Sequence, residues 1–240
     1  MAILTLEHLE KTYGGRKVVN DVNLQVESGK VTGLLGPNGA GKTTTFYMAV
    51  GIIRPDSGHV LINGSDITRD PMYVRARNGI GYLPQESSVF KTLTVKENVM
   101  VILELLSLTK SEQIKKTDQL LDELRIKHLS DQKAAVLSGG ERRRLEITRV
   151  LATNPLFILL DEPFAGVDPI AVIDIQKIIG LLTQRNIGVL ISDHNVRETL
   201  GVCDEAFIMN NGAVIETGSP EMIASSEIAR KIYLGEEFRL

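Results

Sequence analysis

Residues 36–43, "GPNGAGKT", have the makings of an anion site. They fit the pattern G-x-x-x-x-G-K-T, between a short apolar strand and a stretch able to run as a helix. Glycines at such a turn let backbone N–H groups converge on phosphates without Cβ clashes, and the helix start adds partial positive charge. Lys42 is placed to neutralise β- and γ-phosphates, and the Thr43 hydroxyl to ligate Mg²⁺. A second run, "FILLDEP" at 157–163, is an apolar strand ending in two acids. Asp161 then falls at the carboxyl edge of a sheet, where α/β folds bind ligands, and suits a Mg²⁺ partner acting through water. Glu162, one residue on, suits a general base that polarises an attacking water. Alone, "DE" after an apolar run is more often a solvated loop; paired with a phosphate loop, it reads as catalytic.

Other residues point less sharply. His194 follows the apolar strand "GVLISD". A histidine there can donate a hydrogen bond to a γ-phosphate, although a lone one at a strand end is usually structural. Gln85, in "YLPQESS", is either a loop glutamine or a flexible neutral group able to reach Mg²⁺ and water. Tyr13 sits in a turn ahead of the core, where a ring can stack on adenine or pack on its own domain. The run "LSGGERRR" at 137–144 contains S-x-x-E, Ser138 to Glu141, a capping box that starts a helix. The cap does not explain Gly139 and Gly140, because glycine disfavours a helix by about 1 kcal/mol relative to alanine. Two glycines at a helix start leave backbone N–H groups open to an anion that approaches closely. Arg142, Arg143 and Arg144 read by default as a solvated face. His8, His59 and His128 show no metal-ligand pattern.

The elements that must hold these residues follow from the apolar spacing. "ILTLEHL" and "VVNDVNLQV" alternate as strands do and are joined by "YGG". "KVTGLLG", "GHVLING" and "GIGYLPQ" are short strands bounded by glycine or proline, and "KTTTFYMAVGII" runs as a helix. From about Thr94 to Leu137 the spacing becomes helical, in "TVKENVMVILELLSL" and "SEQIKKTDQLLDELRI". Alternation then resumes: helix 141–153, strand "LFILLD", helix 169–185, strand "GVLISD", helix "NVRETLGV" and strand "EAFIMNNGAVIE". Strands alternating with helices predict a parallel α/β sheet covered on both faces.

Composition sets the bounds. The 240 residues are 43% hydrophobic and 24% charged, as expected of one domain with a substantial core. A formal charge of −3 gives no global attraction to nucleic acid or anionic lipid. The single cysteine, Cys203, cannot form an intrachain disulfide and reads as a small buried side chain. The charged N-terminal stretch is not a signal peptide, and no apolar run reaches the roughly 18 residues of a membrane span. A cytosolic chain is expected, unless another subunit holds it at a membrane.

Taken in order, Tyr13, "GPNGAGKT", Gln85, "LSGGE", "ILLDEP", "AGVD" and His194 resemble the nucleotide-binding subunits of ABC transporters over nearly the whole chain. The resemblance implies one cassette over residues 1–240: a RecA-like P-loop core with an antiparallel β subdomain, a helical subdomain at about 87–150 and a tail at about 232–240. It implies ATP and Mg²⁺ as ligands. Tyr13 would stack on adenine, and Gly36, Pro37, Asn38, Gly39, Ala40, Gly41, Lys42, Thr43 and Thr44 would bind phosphate. Thr43, Gln85 and Asp161 would serve the metal; Glu162 would be the base and His194 a γ-phosphate contact. Ser138, Gly139 and Gly140 would bind the γ-phosphate of ATP held by a second copy in a head-to-tail dimer, and Asp168 would lie in the loop crossing that interface. Two membrane permease subunits would dock near Gln85–Phe90, with Phe90 either an anchor or buried in its own subdomain. Within the family, "GIGYLPQESSVFKTLTVKEN", "LLDEPFAGVDPI" and the tail "IYLGEEFRL" are similar to the ATPases of lipopolysaccharide export in Gram-negative bacteria. That likeness implies peripheral attachment to the cytoplasmic face of the inner membrane, lipopolysaccharide handled by the complex, and no nucleic acid. The ATPases of branched-chain amino-acid importers share a similar core, and a non-transport ABC ATPase is a more distant alternative.

Overall fold

The computed structural model describes residues 1–240, the side chain of Ile170 excepted. The chain opens with a long hairpin, β1 (Ile3–Tyr13) and β2 (Arg16–Glu27). β3 (Val31–Leu35) leads through the phosphate loop into α1 (Lys42–Val50). β4 (Ser57–Ile62), β5 (Ser65–Asp66), α2 (Met72–Arg77) and β6 (Ile80–Leu83) follow. Three helices come next: α3 (Val95–Leu103), α4 (Lys110–Glu123) and α5 (Gly139–Leu151). The remainder alternates: β7 (Phe157–Asp161), α6 (Pro169–Gln184), β8 (Gly188–Ser192), α7 (Val196–Leu200), β9 (Glu205–Asn210), β10 (Ala213–Gly218) and α8 (Pro220–Ser225). The chain divides into two compact units, one of Met1–Tyr82 with Leu156–Leu240, the other Leu83–Pro155.

The first unit is built on two sheets. One has the order β2-β1-β4-β5, and its β1–β2 and β1–β4 pairs are antiparallel. The other has the order β10-β9-β3-β8-β7-β6, with β3, β7, β8 and β9 parallel to their mutual neighbours. Every residue of β3, β7 and β8 is buried, as parallel strands covered on both faces require. The hairpin alternates instead, so Leu4 and Leu6 of β1 and Val22, Leu24 and Val26 of β2 turn inward. They join Phe46, Met48 and Ala49 of α1 and Leu159 and Leu190 of the parallel strands in one core. The helix that follows the phosphate loop therefore lies in that core.

One expected element is corrected. "EAFIMNNGAVIE" is not a single strand but the antiparallel hairpin β9–β10. Asn211 and Gly212 both take positive φ, 48° and 85°, the tight turn that Asn-Gly favours between two strands. The sheet thus ends in an antiparallel edge. α2 and α8 also lie where no helix was expected.

In the second unit all three α-helices begin the same way. Thr94 with Glu97, Thr109 with Glu112 and Ser138 with Glu141 each form a reciprocal capping box. Behind the caps, Val95, Val99, Leu103, Leu120, Leu121, Leu145 and Leu151 are buried. α3 ends at Leu103, earlier than its apolar spacing suggested.

The far end of α1 is held by a buried cation. Arg75 is 1% exposed, and its guanidinium donates to four carbonyl oxygens: Met48 at 2.7 Å, Ala49 at 2.8 Å, Asp70 at 2.9 Å and Thr68 at 2.8 Å. Two of these belong to the last turn of α1, whose unpaired carbonyls and dipole favour positive charge. An ammonium cannot span the same fork of acceptors. Arg75→Lys is therefore expected to lower the unfolding free energy by about 3 kcal/mol in urea titration. A loss below about 1 kcal/mol would show that the fork is dispensable.

Candidate active site

The site lies in the first unit, at the carboxyl ends of β3, β7 and β8. Gly36 follows directly on β3 with φ 145°, and a Cβ there would come within 2.1 Å of the Met209 carbonyl oxygen on β9. Only glycine lets the loop leave the sheet this close to its neighbour. The loop closes at the start of α1, whose first turn has no side-chain cap and no acidic residue. Its N–H groups are thus left for an anion. Pro37 is partly exposed, Asn38, Gly39 and Thr43 are exposed, and Ala40 is buried. Thr44 is partly exposed beside the buried Thr45.

Lys42 lies buried inside this loop. Its Nζ donates to the Gly36 carbonyl at 2.7 Å and to the Pro37 carbonyl at 3.1 Å. Burial lowers its pKa, while Glu162 and Asp193 oppose that shift by favouring the charged form. The ammonium is held by loop carbonyls, ligands that phosphate oxygens can replace.

The acids are gathered opposite. Asp161 is the last residue of β7 and is buried, with Oδ2 accepting a hydrogen bond from the Tyr82 hydroxyl at 3.3 Å. Burial raises its pKa and the charges of Glu162 and Asp193 add to the rise, while the Tyr82 hydrogen bond works against it. Glu162 takes a left-handed conformation, φ 46°, a strain of about 1–3 kcal/mol for a residue with a Cβ. Its N–H donates to the Ser192 carbonyl at 2.6 Å, which locks the turn to β8. His194 Nδ1 is 3.5 Å from Glu162 Oε2 and 3.6 Å from Asp193 Oδ1, and the imidazole stays half-exposed.

Three further residues build the site without having been singled out in the sequence: Tyr82, Asp193 and Asn195. Asp193 is wholly buried; Oδ2 accepts from the Phe164 N–H at 2.7 Å and Oδ1 from the Asn195 N–H at 2.8 Å. Asn195 Nδ2 donates to the Phe164 carbonyl at 2.9 Å. Both polar groups of the Phe164 backbone are thus gripped by residues on either side of His194, which ties the Glu162 turn to the histidine turn. "SDHN" in the chain was the available signal, but its partner lies about thirty residues away.

The remaining expected residues are placed as follows. Tyr13 ends β1 with its ring about half-exposed, and Lys11 Nζ stands 5.5 Å from the ring centre. Asp168 caps α6, with Oδ1 accepting from the Ala171 N–H at 2.9 Å. Gln85 and Ser138 to Gly140 belong to the second unit. Gln85 is exposed two residues beyond β6. Ser138 caps α5, its Oγ accepting from the Glu141 N–H at 3.4 Å while Glu141 Oε2 accepts from the Ser138 N–H at 2.8 Å. Gly139 and Gly140 form the first turn of α5, and a Cβ at either would meet nothing within 4 Å. Packing within the chain does not require glycine at these two positions.

The arginines are not a solvated face. Each is partly buried and donates to a backbone carbonyl: Arg142 to Leu137 at 2.9 Å, Arg143 to Pro84 at 3.4 Å and Arg144 to Leu124 at 3.2 Å. They fasten α5 to its surroundings within the second unit. Phe90 is half-exposed, its backbone N–H and carbonyl both bonded to the buried Asn98 side chain, and the Arg149 guanidinium lies 4.7 Å from its ring.

Burial of the Asp161 carboxylate beside two other acids carries a stability cost. Its folded pKa is raised, so its favourable contribution is complete below the unfolded value of 3.8 and is lost as pH rises through the folded value. Asp161→Asn is therefore expected to raise the melting temperature of the nucleotide-free protein at neutral pH, with the gain vanishing below about pH 4. An equal or lower melting temperature at neutral pH would contradict the placement of this charge.

Among known proteins, the ABC transporter family profile matches residues 19–165. The lipopolysaccharide export system ATP-binding protein LptB of Haemophilus influenzae is 58% identical over 241 residues, spanning all of both chains. LptB of Escherichia coli K12 is 55% identical, again over all of both chains. Among solved structures, the ADP conformation of MJ1267, an ATP-binding cassette of an ABC transporter, superposes with a TM-score of 0.88 at 32% identity. That superposition covers 98% of this chain and 100% of the cassette. CbiO1 of Clostridium perfringens, part of the ABC transporter complex cbiONQ, gives 0.85 at 32% identity over 97% and 95% of the two chains. The α/β architecture built on the phosphate loop is the P-loop fold of these cassettes, and this chain belongs to the ABC transporter family.

Proposed function

We propose that this chain is the ATP-binding and ATP-hydrolysing subunit of an ABC transporter that extracts lipopolysaccharide from the inner membrane for export. The observation that carries the ATPase reading is the juxtaposition of a buried, carbonyl-held Lys42 with Glu162 at the mouth of a glycine-built anion loop. Substrate assignment rests on full-length identity above one half to two lipopolysaccharide export ATP-binding proteins.

In this reading the triphosphate settles on the 36–44 backbone, and Lys42 exchanges the Gly36 and Pro37 carbonyls for β- and γ-phosphate oxygens. The half-exposed Tyr13 ring stacks on adenine. The oxygen donors at hand suit a hard dication: Thr43 and Asp161 would hold Mg²⁺, with Gln85 reaching it and the water. Crowding of Asp161 with Glu162 and Asp193 is the condition a bound cation relieves. When bound, Mg²⁺ would neutralise charge on the phosphate oxygens. Glu162 accepts the proton of the attacking water. His194, close to the Glu162 carboxylate, donates to the γ-phosphate.

A complete site takes two chains. Gly139 and Gly140 have no packing role within their own chain, and the N-terminal amides of α5 suit an anion. That anion is the γ-phosphate bound by a second copy, so a two-fold dimer forms two equivalent sites with Asp168 near the interface. Hydrolysis removes the group that joins the halves and lets them part, which converts phosphate chemistry into motion. Two permease subunits dock near Gln85–Phe90, where Phe90 presents a half-exposed ring on a backbone held by the Asn98 side chain. No helix among the described residues is long and apolar enough to cross a membrane, which fits a peripheral subunit on the cytoplasmic face of the inner membrane.

Affinity purification of the chain from membranes is expected to bring down two unlike membrane-spanning subunits. Lipopolysaccharide should raise the ATP turnover of that complex. Recovery of a periplasmic amino-acid receptor, with turnover indifferent to lipopolysaccharide, would overturn the substrate assignment.

A further inference from the structure

The last residues of the chain do not hang free of the site. After α8 the backbone makes a π-helical turn over Arg230–Leu234, a form common at functional sites, and reverses at Gly235 with φ 86°. Tyr233, Leu234 and Phe238 pack on a cluster that contains Leu35, the last residue of β3 before the phosphate loop. The same cluster includes Leu200 of α7, the helix that begins two residues after His194, and Val196 at the start of that helix packs against it. Arg197, also on α7, donates from Nη2 to the Arg239 carbonyl at 3.1 Å. One short segment thus packs on a cluster shared with the strand that leads into the phosphate loop, and is bonded to the helix behind the histidine.

Its polar member is out of keeping with simple packing. The Tyr233 hydroxyl is buried and makes no hydrogen bond of full geometry. A phenylalanine would fill the same space without burying a hydroxyl that lacks a hydrogen bond of full geometry, so burial alone does not account for the tyrosine. The polar surroundings of this hydroxyl are the Gly36 backbone and the Asp193 carboxylate. Burial raises its pKa and Asp193 adds to the rise, while the Gly36 backbone works the other way. Gly36 supplies the carbonyl that holds Lys42, and Asp193 is the latch on the Glu162 turn.

We propose that residues 233–239 form a strap that positions the phosphate loop against the Asp193–Arg197 turn, with Tyr233 as a positioning residue for ATP binding. The structural half of this inference stands on the packing alone; its consequence for ATP rests on the function proposed above.

Tyr233→Phe in the full chain tests both halves. Amide hydrogen exchange in the nucleotide-free variant should speed up at 36–42 and at 193–197, with no fall in melting temperature. The KM for ATP should rise about threefold or more with kcat little changed, a split that general destabilisation does not produce. Unchanged exchange at both segments would overturn the strap. Faster exchange with an unchanged KM would reduce it to a structural element and overturn the positioning role. If exchange responds while the unaltered protein neither binds nor hydrolyses ATP, the strap stands and the ATP reading falls.

Discussion

The Lys42 ammonium, held 2.7 Å from the Gly36 carbonyl, is the contact on which the rest of the site depends. A buried cation needs oxygen partners, and here the Gly36 and Pro37 carbonyls supply them. This arrangement requires the loop to fold back on itself, which in turn requires the Gly36 backbone to pass against β9 where no side chain fits. It also requires α1 to be fixed at both ends. The phosphate loop fixes one end and the Arg75 guanidinium the other, with Phe46 and Met48 in the core between them.

Glu162 and Asp193 favour the charged form of that cation, Asp161 stands beside them, and each of the three has its own constraint. Asp161 is placed by the end of β7, Glu162 by a left-handed turn bonded to β8, and Asp193 by burial under Phe164. The two turns cannot shift independently, because Asp193 and Asn195 hold the same backbone unit from both sides. A change at the histidine turn is therefore felt at the Glu162 turn. The bonds fix the two turns to each other, at the cost of repulsion among the three acids.

Legibility in the sequence followed the range of the interactions. The phosphate loop, the "DEP" run and the Ser138–Glu141 capping box were legible because strand, turn and helix are covalently adjacent and their spacing carries the geometry; the capping boxes at Thr94 and Thr109 follow the same spacing but went unread. The β9–β10 hairpin was misread because its apolar run looked continuous, although Asn211–Gly212 held the turn signal. Asp193, Asn195, Tyr82 and Tyr233 were silent because their partners are set by the tertiary fold. The arginines of "LSGGERRR" looked like a charge run and proved to be three separate backbone anchors. In that same stretch the serine is accounted for within the chain, and the two glycines are not.

The central proposal is that those unaccounted glycines serve a site on another copy of the chain. Mixing Lys42→Ala chains with Ser138→Ala chains tests it most directly by ATP turnover. In the mixed dimer one site carries both lesions and the other carries neither. The account predicts that the mixture regains turnover well above either variant alone. Turnover in the mixture equal to the mean of the two variants, with mixed dimers shown to form, would contradict it.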